Sequence, residues 1–425
     1  MAIKNKHIYS TCLFLALSCW AMAAQRIADT MTGIFNENIK SLQVRLDGDD
    51  FAQPVIVLNS DDHIRIDFDH LAEDREYFRY SLTHCSAAWQ PSPIVDSEFL
   101  DGFNEGIIEN YDFSQATAVH YVHYSLTLPN EYTAPTISGN YLLKVYPESE
   151  PDSIVLQCRF YISEESAPIA LSASAQTDID YNKAHQQLTI VVDTERADVE
   201  DPFNDLMIVA GQNGRLDSEI AFSQPLRMMG RKVVYEHQPQ LIFEAGNEYR
   251  RFETVSDTYP GMKVEHIEYH SPYYHYVLDE DLARSRETYS YDQTQHGRFF
   301  IRRANASDSD TEADYGVVHF SLDYPLEAGS MIFIDGDFVQ RRFDDNSRMF
   351  YNYSSGRFER ALLLKQGAYN YRYLVVPPGA KRGYTSYIEG DKYQTVNEYS
   401  VRVYHRKRNE RYDRLIGVAS CRTDI

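Results

Sequence analysis

Short segments in which apolar and polar residues alternate recur along most of the chain. "PVIVLNS", "HIRIDFDH", "YFRYSLTHC", "VHYVHYSLTL", "GNYLLKVYP" and "SIVLQCRFYI" come first, each closed by turn residues. Period-two alternation makes one face of a strand apolar, a pattern that no helix can turn into a single buried stripe. A second series follows: "QQLTIVVDT", "DLMIVAGQNG", "RKVVYEHQP", "YRRFETV" and "MKVEHIEYH". A third starts near Gly297 with "GRFFIRRA", "GVVHFSLDY", "SMIFIDGDF", "FERALLLKQ", "YNYRYLVV" and "YSVRVYHR". Many short strands with turn signals between them build sheets packed face to face. The expected fold is therefore all-β: tandem immunoglobulin-like or early-set β-sandwich domains.

The polar, proline-containing "SEESAPIA" reads as a linker after the first series. The expected domains are 24–164, 165–295 and 296–405, followed by a tail, 406–425, that begins basic and either trails from the domain or crosses to a neighbour. "DEDLARSRE" is expected to form one or two helical turns. No repeat of fixed period and no low-complexity tract is present.

The start of the chain, "MAIKNKHIYSTCLFLALSCWAMAAQ", has Lys4 and Lys6, an apolar run from Leu13 to Trp20, and Ala21 and Ala23 in the A-x-A pattern. It reads as a signal peptide, 1–23, removed on export. An acylated Cys19 would want a large aliphatic residue three positions earlier, where Ala16 stands. No later run reaches the ~20 apolar residues of a membrane-spanning helix. Loss of the leader takes the formal charge from −22 to −24, since it holds two lysines and no acid. So acidic a chain repels nucleic acid and anionic lipid. Cys85, Cys158 and Cys421 remain after the leader, so at most one internal disulfide can close, with Cys85–Cys158 as the candidate. Against two Trp there are 33 Tyr and 21 Phe. Tyrosine suits strand edges and docking surfaces, because its ring packs while its hydroxyl stays wet.

"THCSAAWQPS", residues 83–92, places His84 beside Cys85 and close to Trp89. Adjacent strand residues face opposite ways, so His84 cannot activate the Cys85 thiol. Phe78, Tyr80, Leu82 and His84 share one face, and Arg79, Ser81, Thr83 and Cys85 the other. Cys85 is then a packing residue or a disulfide partner, and Trp89 packs over the strand end. "VEHIEYH" sets Val264, His266, Glu268 and His270 on one strand face. Two histidines and a carboxylate can ligate zinc, but the order differs from the helical H-E-x-x-H motif. "SDSDTEADY" spaces Asp308, Asp310, Glu312 and Asp314 like a calcium loop. Ala313 stands where that loop needs glycine and His319 where it needs a bidentate glutamate, so a solvated hairpin loop is expected. No phosphate-binding loop, nucleophile elbow or dinucleotide fingerprint is present. The expectation is no catalytic residue, no metal and no cofactor.

The run "IDGDFVQRRFDDNSRMFYNYSSGRFERALLLKQGAYNYRYLV" resembles the early-set modules appended to glycogen-active proteins. Those modules stack tryptophans on sugar rings. Here Tyr351 and Tyr353 would have to substitute, so the resemblance bears mainly on the fold. It keeps a glycan-binding envelope protein as the alternative function, with an unrecognised metal enzyme using His266 and His270 as a third.

A longer resemblance covers nearly the whole mature chain in order. "THCSAAWQPSPIVDSEFLDGF", "VHYVHYSLTLPNEY", "SGNYLLKVY", "NDLMIVAGQNGRLDSEI", "EAGNEYRRFE" and "LLLKQGAYNYRYLVV" are together similar to the type IX secretion system plug protein family. The residues that carry it are His84, Cys85, Trp89, Asp101, Gly102, Gln212, Asn213, Gly246, Asn247, Glu248, Lys365, Gln366, Gly367, Tyr369 and Tyr371, all expected to be framework. Ala245 and Tyr249 depart from the family's Gly-Gly-Asn-Glu-Phe-Arg stretch, and Leu216 from an aromatic after "QNGR". The resemblance implies a non-catalytic periplasmic protein; the chain is expected to be monomeric when free. Its implied partner is the large outer-membrane β-barrel translocon of the type IX system, whose periplasmic mouth it closes. Gly102, Gly139 and Gly367 are expected at positive φ, and Asn247 and Glu248 in side-chain bonds that satisfy a bend. The tyrosine-rich hairpin Met349–Tyr353 is expected to supply partner contacts through Tyr351 and Tyr353.

Overall fold

The computed structural model describes residues 30–423. The expected signal peptide lies outside the described residues. Among the described residues no helix is long and apolar enough to cross a membrane.

The chain forms an all-β array of three sandwiches. In the first, one sheet runs Gly33–Ile34, Leu156–Ser163, Gly139–Pro147, Phe78–Cys85, Gly106–Ile107, with Val55–Val57 parallel to Leu156–Ser163. The facing sheet is Ile39–Leu46, Ile64–His70, Val122–Leu128, Asn110–Phe113. Alternation decides what lies between them. Phe78, Tyr80 and Leu82 enter the core with Phe68, Tyr124, Leu143 and Cys158. The Phe78 ring meets Tyr124 edge-on at 5.0 Å and Phe68 at 5.6 Å, each contact adding ~0.5–1.5 kcal/mol beyond area burial.

The second sandwich is discontinuous in sequence. One sheet holds Ile169–Ser174, His185–Asp193, Lys232–Tyr235, Arg227–Met229 and Ile242–Glu244. The other runs Ile220–Phe222, Leu206–Gln212, Glu398–His405, Arg414–Arg422. Its core joins Leu188, Ile190 and Ile208 to Tyr399, Val401 and Ile416. The third sandwich is built from the chain between these strands. Arg250–Glu253, Gly367–Val376, Phe299–Ile301 and Met331–Asp335 form one sheet. Val264–His270, Tyr273–Leu278, Tyr315–Asp323, Arg357–Lys365 and Phe350–Asn352 form the other.

This pairing differs from the linear division into 165–295, 296–405 and a tail 406–425. "YRRFETV" and "MKVEHIEYH" pair within the third sandwich, and the tail supplies strand Arg414–Arg422 to the second. Alternation marks a residue run as strand but says nothing about which strand lies beside it. "DEDLARSRE" is not helical either. Asp281–Leu282 pairs with Leu322–Asp323, and a turn follows at Arg284–Glu287.

Candidate functional site

The stretch "THCSAAWQPS" lies at the junction of the first and second sandwiches. Cys85, Ala87, Trp89, Leu142 and Tyr161 pack against Val209, Tyr404 and Leu415. The backbone turns at Ser86–Gln90, with Trp89 N donating to Ser86 O at 2.8 Å and Ser86 N to Gln90 O at 2.8 Å. Trp89 sits at φ 59°, a left-handed conformation that costs an L-residue ~1–2 kcal/mol. What holds it is the ring's setting: Tyr161 edge-on at 5.4 Å and the Arg159 guanidinium over its face at 4.1 Å. Ala87 N donates to Asp413 Oδ2 at 2.8 Å, tying the turn to the returning C-terminal segment.

His84 faces away from Cys85, as the alternation requires. Its Nδ1 is 2.8 Å from Ser92 Oγ and its Nε2 3.1 Å from the Ser138 carbonyl. Burial holds its pKa below the ordinary histidine value, although that carbonyl and Asp413 pull the other way. Burial pushes the Cys85 thiol up to about 12, the opposite of a nucleophile's needs. The candidate Cys85–Cys158 disulfide is not formed: both are free thiols. Cys158 opposes Leu143 within the sandwich core, whereas Cys85 packs with Leu142 on the other face of the sheet.

A second junction joins the first and third sandwiches through charge. Lys365 Nζ lies 2.5 Å from Asp69 Oδ2, each side chain 1% exposed. His123 Nδ1 stands 2.7 Å from the other Asp69 oxygen, and the Tyr315 hydroxyl donates to Oδ2 at 2.6 Å. Lys365 also donates to Asp310 O at 2.6 Å and sits 4.1 Å from the Tyr121 ring centroid. Burial opposes ionisation of Asp69, but Lys365 and His123 outweigh it and hold its pKa below the ordinary carboxylate value. Burial also works against a charged His123, and Asp69 overrides it, raising the His123 pKa. Next in sequence, Gln366 accepts from Asp314 N at 3.0 Å and donates to Tyr276 OH at 3.2 Å. Gly367 is not at positive φ. A Cβ there would stand 2.3 Å from Phe300 O, so lack of space dictates the glycine. Tyr369 OH donates to Lys365 O, and Tyr371 OH to Asp281 Oδ2 at 2.6 Å.

Of the remaining signature residues, Gln212 and Asn213 lie in the second sandwich, Gly246, Asn247 and Glu248 where the chain passes to the third, and Asp101 and Gly102 beside the first. Gln212 donates to Glu244 O at 2.8 Å, and Asn213 bonds Asn397 Oδ1 at 2.7 Å while accepting from Glu398 N at 2.8 Å. Gly246 turns at φ 63°, where the chain leaves for the third sandwich. Asn247 Nδ2 donates to Glu389 O at 2.9 Å and its Oδ1 accepts from Glu248 N at 2.9 Å. Glu248 Oε1 takes Tyr289 OH at 2.7 Å and Val396 N at 3.0 Å. Gly102 adopts φ 99° and packs so closely that a Cβ would meet Tyr132 O at 2.0 Å; Asp101 beside it is exposed. Asp69, His123, Tyr315 and Glu389 escaped sequence reasoning. Each lies in an ordinary strand or turn, and its partner is far away in the chain.

The exposed groups have a different character. His266, Glu268 and His270 share a solvent-facing surface, with Glu268 3.3 Å from His266 Nε2 and 2.9 Å from His270 Nε2. A bulge between Val264 and His266 turns Val264 inward, correcting the expected single face. Among the described residues no group of three His, Cys, Asp or Glu is placed to hold a metal ion. "SDSDTEADY" is not a solvated hairpin but a helical turn, Ser309–Glu312, capped by Asp308. Asp314 is buried and accepts from Ala118 N at 2.5 Å and Val119 N at 3.0 Å, docking the turn on the first sandwich. Strand Phe350–Asn352 ends its sheet, pairing among the described residues only with Arg357–Lys365. Tyr353 is 91% exposed and Tyr351 44%, edge to face at 5.1 Å, whereas Met349 is in the core.

Fold and junctions define a class first: three β-sandwiches joined by buried polar and aromatic contacts, one of them inserted into another. The family model "Type 9 secretion system plug protein 1st domain" matches residues 39–164. A hypothetical protein from Parabacteroides merdae, solved by crystallography, is 40% identical over 93% of this chain and 99% of that one, with a TM-score of 0.92. A DNA-bound alkylpurine DNA glycosylase from Pseudomonas fluorescens is 11% identical over 29% of this chain and 30% of that one; its TM-score of 0.18 denotes no shared fold. No functionally curated protein matches. The chain belongs to the type IX secretion system plug protein family.

Proposed function

We propose that this chain is a non-catalytic periplasmic plug subunit. It closes the periplasmic mouth of the large outer-membrane β-barrel translocon of the type IX system. Family membership supports a secretion-related role. The observation that carries the finer reading is the Lys365–Asp69–His123–Tyr315 network. It sits between the first and third sandwiches, not inside one of them. A stopper across a wide pore has to resist deformation. Buried, directional polar contacts favour one domain arrangement over others.

The plug must also leave when cargo passes. A reversible interface combines aromatic anchors with a polar rim. Tyr351 and Tyr353 offer such anchors on an open sheet end, with Arg357 and Arg360 close by in the same surface depression. Their rings stand at 83° to one another, so they do not form the flat platform on which a sugar would stack.

Isolation of the tagged chain from outer membranes in mild detergent tests the reading. A stoichiometric giant β-barrel protein is the expected companion. A free monomer in the periplasmic fraction, with no barrel even after cross-linking, would overturn it.

A further inference from the structure

The three sandwiches leave a cavity of about 210 Å³ where they meet. Arg159 and Tyr161 of the first sandwich, Glu219 and Arg402 of the second, and Arg298 and Arg341 near the third all line it. Most of the guanidinium groups here have a carboxylate. Arg298 pairs with Glu398 at 2.7 Å, Arg341 with Asp337 at 2.6 Å, and Arg402 with Glu219.

Arg159 differs. Its Nε donates to Thr30 O at 2.6 Å and a terminal nitrogen to Thr30 Oγ1 at 3.1 Å, and its plane lies on Trp89. No carboxylate among the described residues pairs with it. Arg159 is 9% exposed and Arg402 4% exposed. The Arg402 Nε is buried and makes no hydrogen bond. Of these two buried guanidinium groups only Arg402 has a carboxylate, Glu219, and one Arg402 donor goes unused. Burial depresses the Arg159 pKa and the nearby Arg402 charge acts the same way, although Tyr161 and Glu219 partly offset them. A buried polar donor without a partner is costly, and a buried cation without an anion more so.

We infer that this junction cavity is a binding site for one small oxyanion, held between Arg159 and Arg402. The guanidinium fork matches carboxylate and phosphate geometry alike. At about 210 Å³ the cavity has room for phosphate or a short dicarboxylate. Because all three sandwiches line the cavity, an occupant would bind the folded array only and stabilise it by mass action.

The test uses the mature chain. Inorganic phosphate and succinate are titrated separately by calorimetry, at constant ionic strength set with sodium chloride. One of them should bind saturably at one site and raise the melting temperature with concentration. Arg159→Met should weaken that binding by at least about tenfold. Absence of binding by both up to about 10 mM, against the stabilisation expected from a site-bound anion, would leave water as the occupant and overturn the site. Equal affinity in Arg159→Met and wild type would place the anion elsewhere and overturn the site as well. Should Arg159→Met not fold, wild-type crystals soaked in selenate decide. An anomalous peak beside Arg159 supports the site, and its absence there refutes it.

Discussion

Lys365→Met isolates the charge at the junction of the first and third sandwiches. Methionine keeps much of the apolar stem and removes the ammonium. Asp69 loses its 2.5 Å partner but keeps His123 at 2.7 Å and Tyr315 at 2.6 Å. Removing one member of a buried pair costs ~3–5 kcal/mol, because the other charge is left stranded. The two partners that remain place the expected loss at the lower end, about 3 kcal/mol. Adding Asp69→Asn removes the stranded charge, so the double variant should return to within about 1 kcal/mol of wild type. A multidomain chain does not unfold in one step. The readout is therefore the urea midpoint of the first transition, with hydrogen exchange followed in strands Ile64–His70 and Arg357–Lys365. A Lys365→Met loss below about 0.5 kcal/mol, the range of an ordinary surface change, would refute the reasoning. So would a double variant no better than the single one.

Three further outcomes are expected. His84 is held below its ordinary pKa by burial. Its contribution to stability is present above the unfolded value of ~6.5 and is lost as pH falls from there towards the folded value. The melting temperature of wild type should drop faster than that of His84→Gln between pH 7 and pH 5, whereas parallel curves would show that His84 is not the titrating group. Iodoacetamide should label Cys421 in the native chain and reach Cys85 and Cys158 only after unfolding, since burial pushes both of those thiols up to about 12. Native labelling of Cys85 would contradict its packing. Alanine at Tyr351 and Tyr353 should change stability by less than about 0.5 kcal/mol and weaken barrel binding at least about tenfold; unchanged binding would remove this edge from the interface.

Much of the strand content was legible because half-buried strands write their faces into the sequence. "YFRYSLTHC" is the clearest case: Phe78, Tyr80 and Leu82 enter the core, while Cys85 goes to the other side. That alternation alone rules out a Cys85–His84 pair. What the residues did not carry was partnership. Leu206–Gln212 pairs with Glu398–His405 across the whole third sandwich, and no local period reports so distant a neighbour. The same holds for Lys365 and Asp69, whose pairing spans 296 residues. Family resemblance singles out Lys365, but nothing near it in sequence says which acid it meets. The Val264 correction is smaller in scale: one bulge shifts the face, and bulges leave no period of their own.

Conductance of the purified type IX barrel in a planar bilayer tests plugging most directly. Addition of this protein from the periplasmic side should close a large, stable conductance, and its removal should restore it. An open conductance that the protein leaves unchanged, although the two bind, would contradict the account.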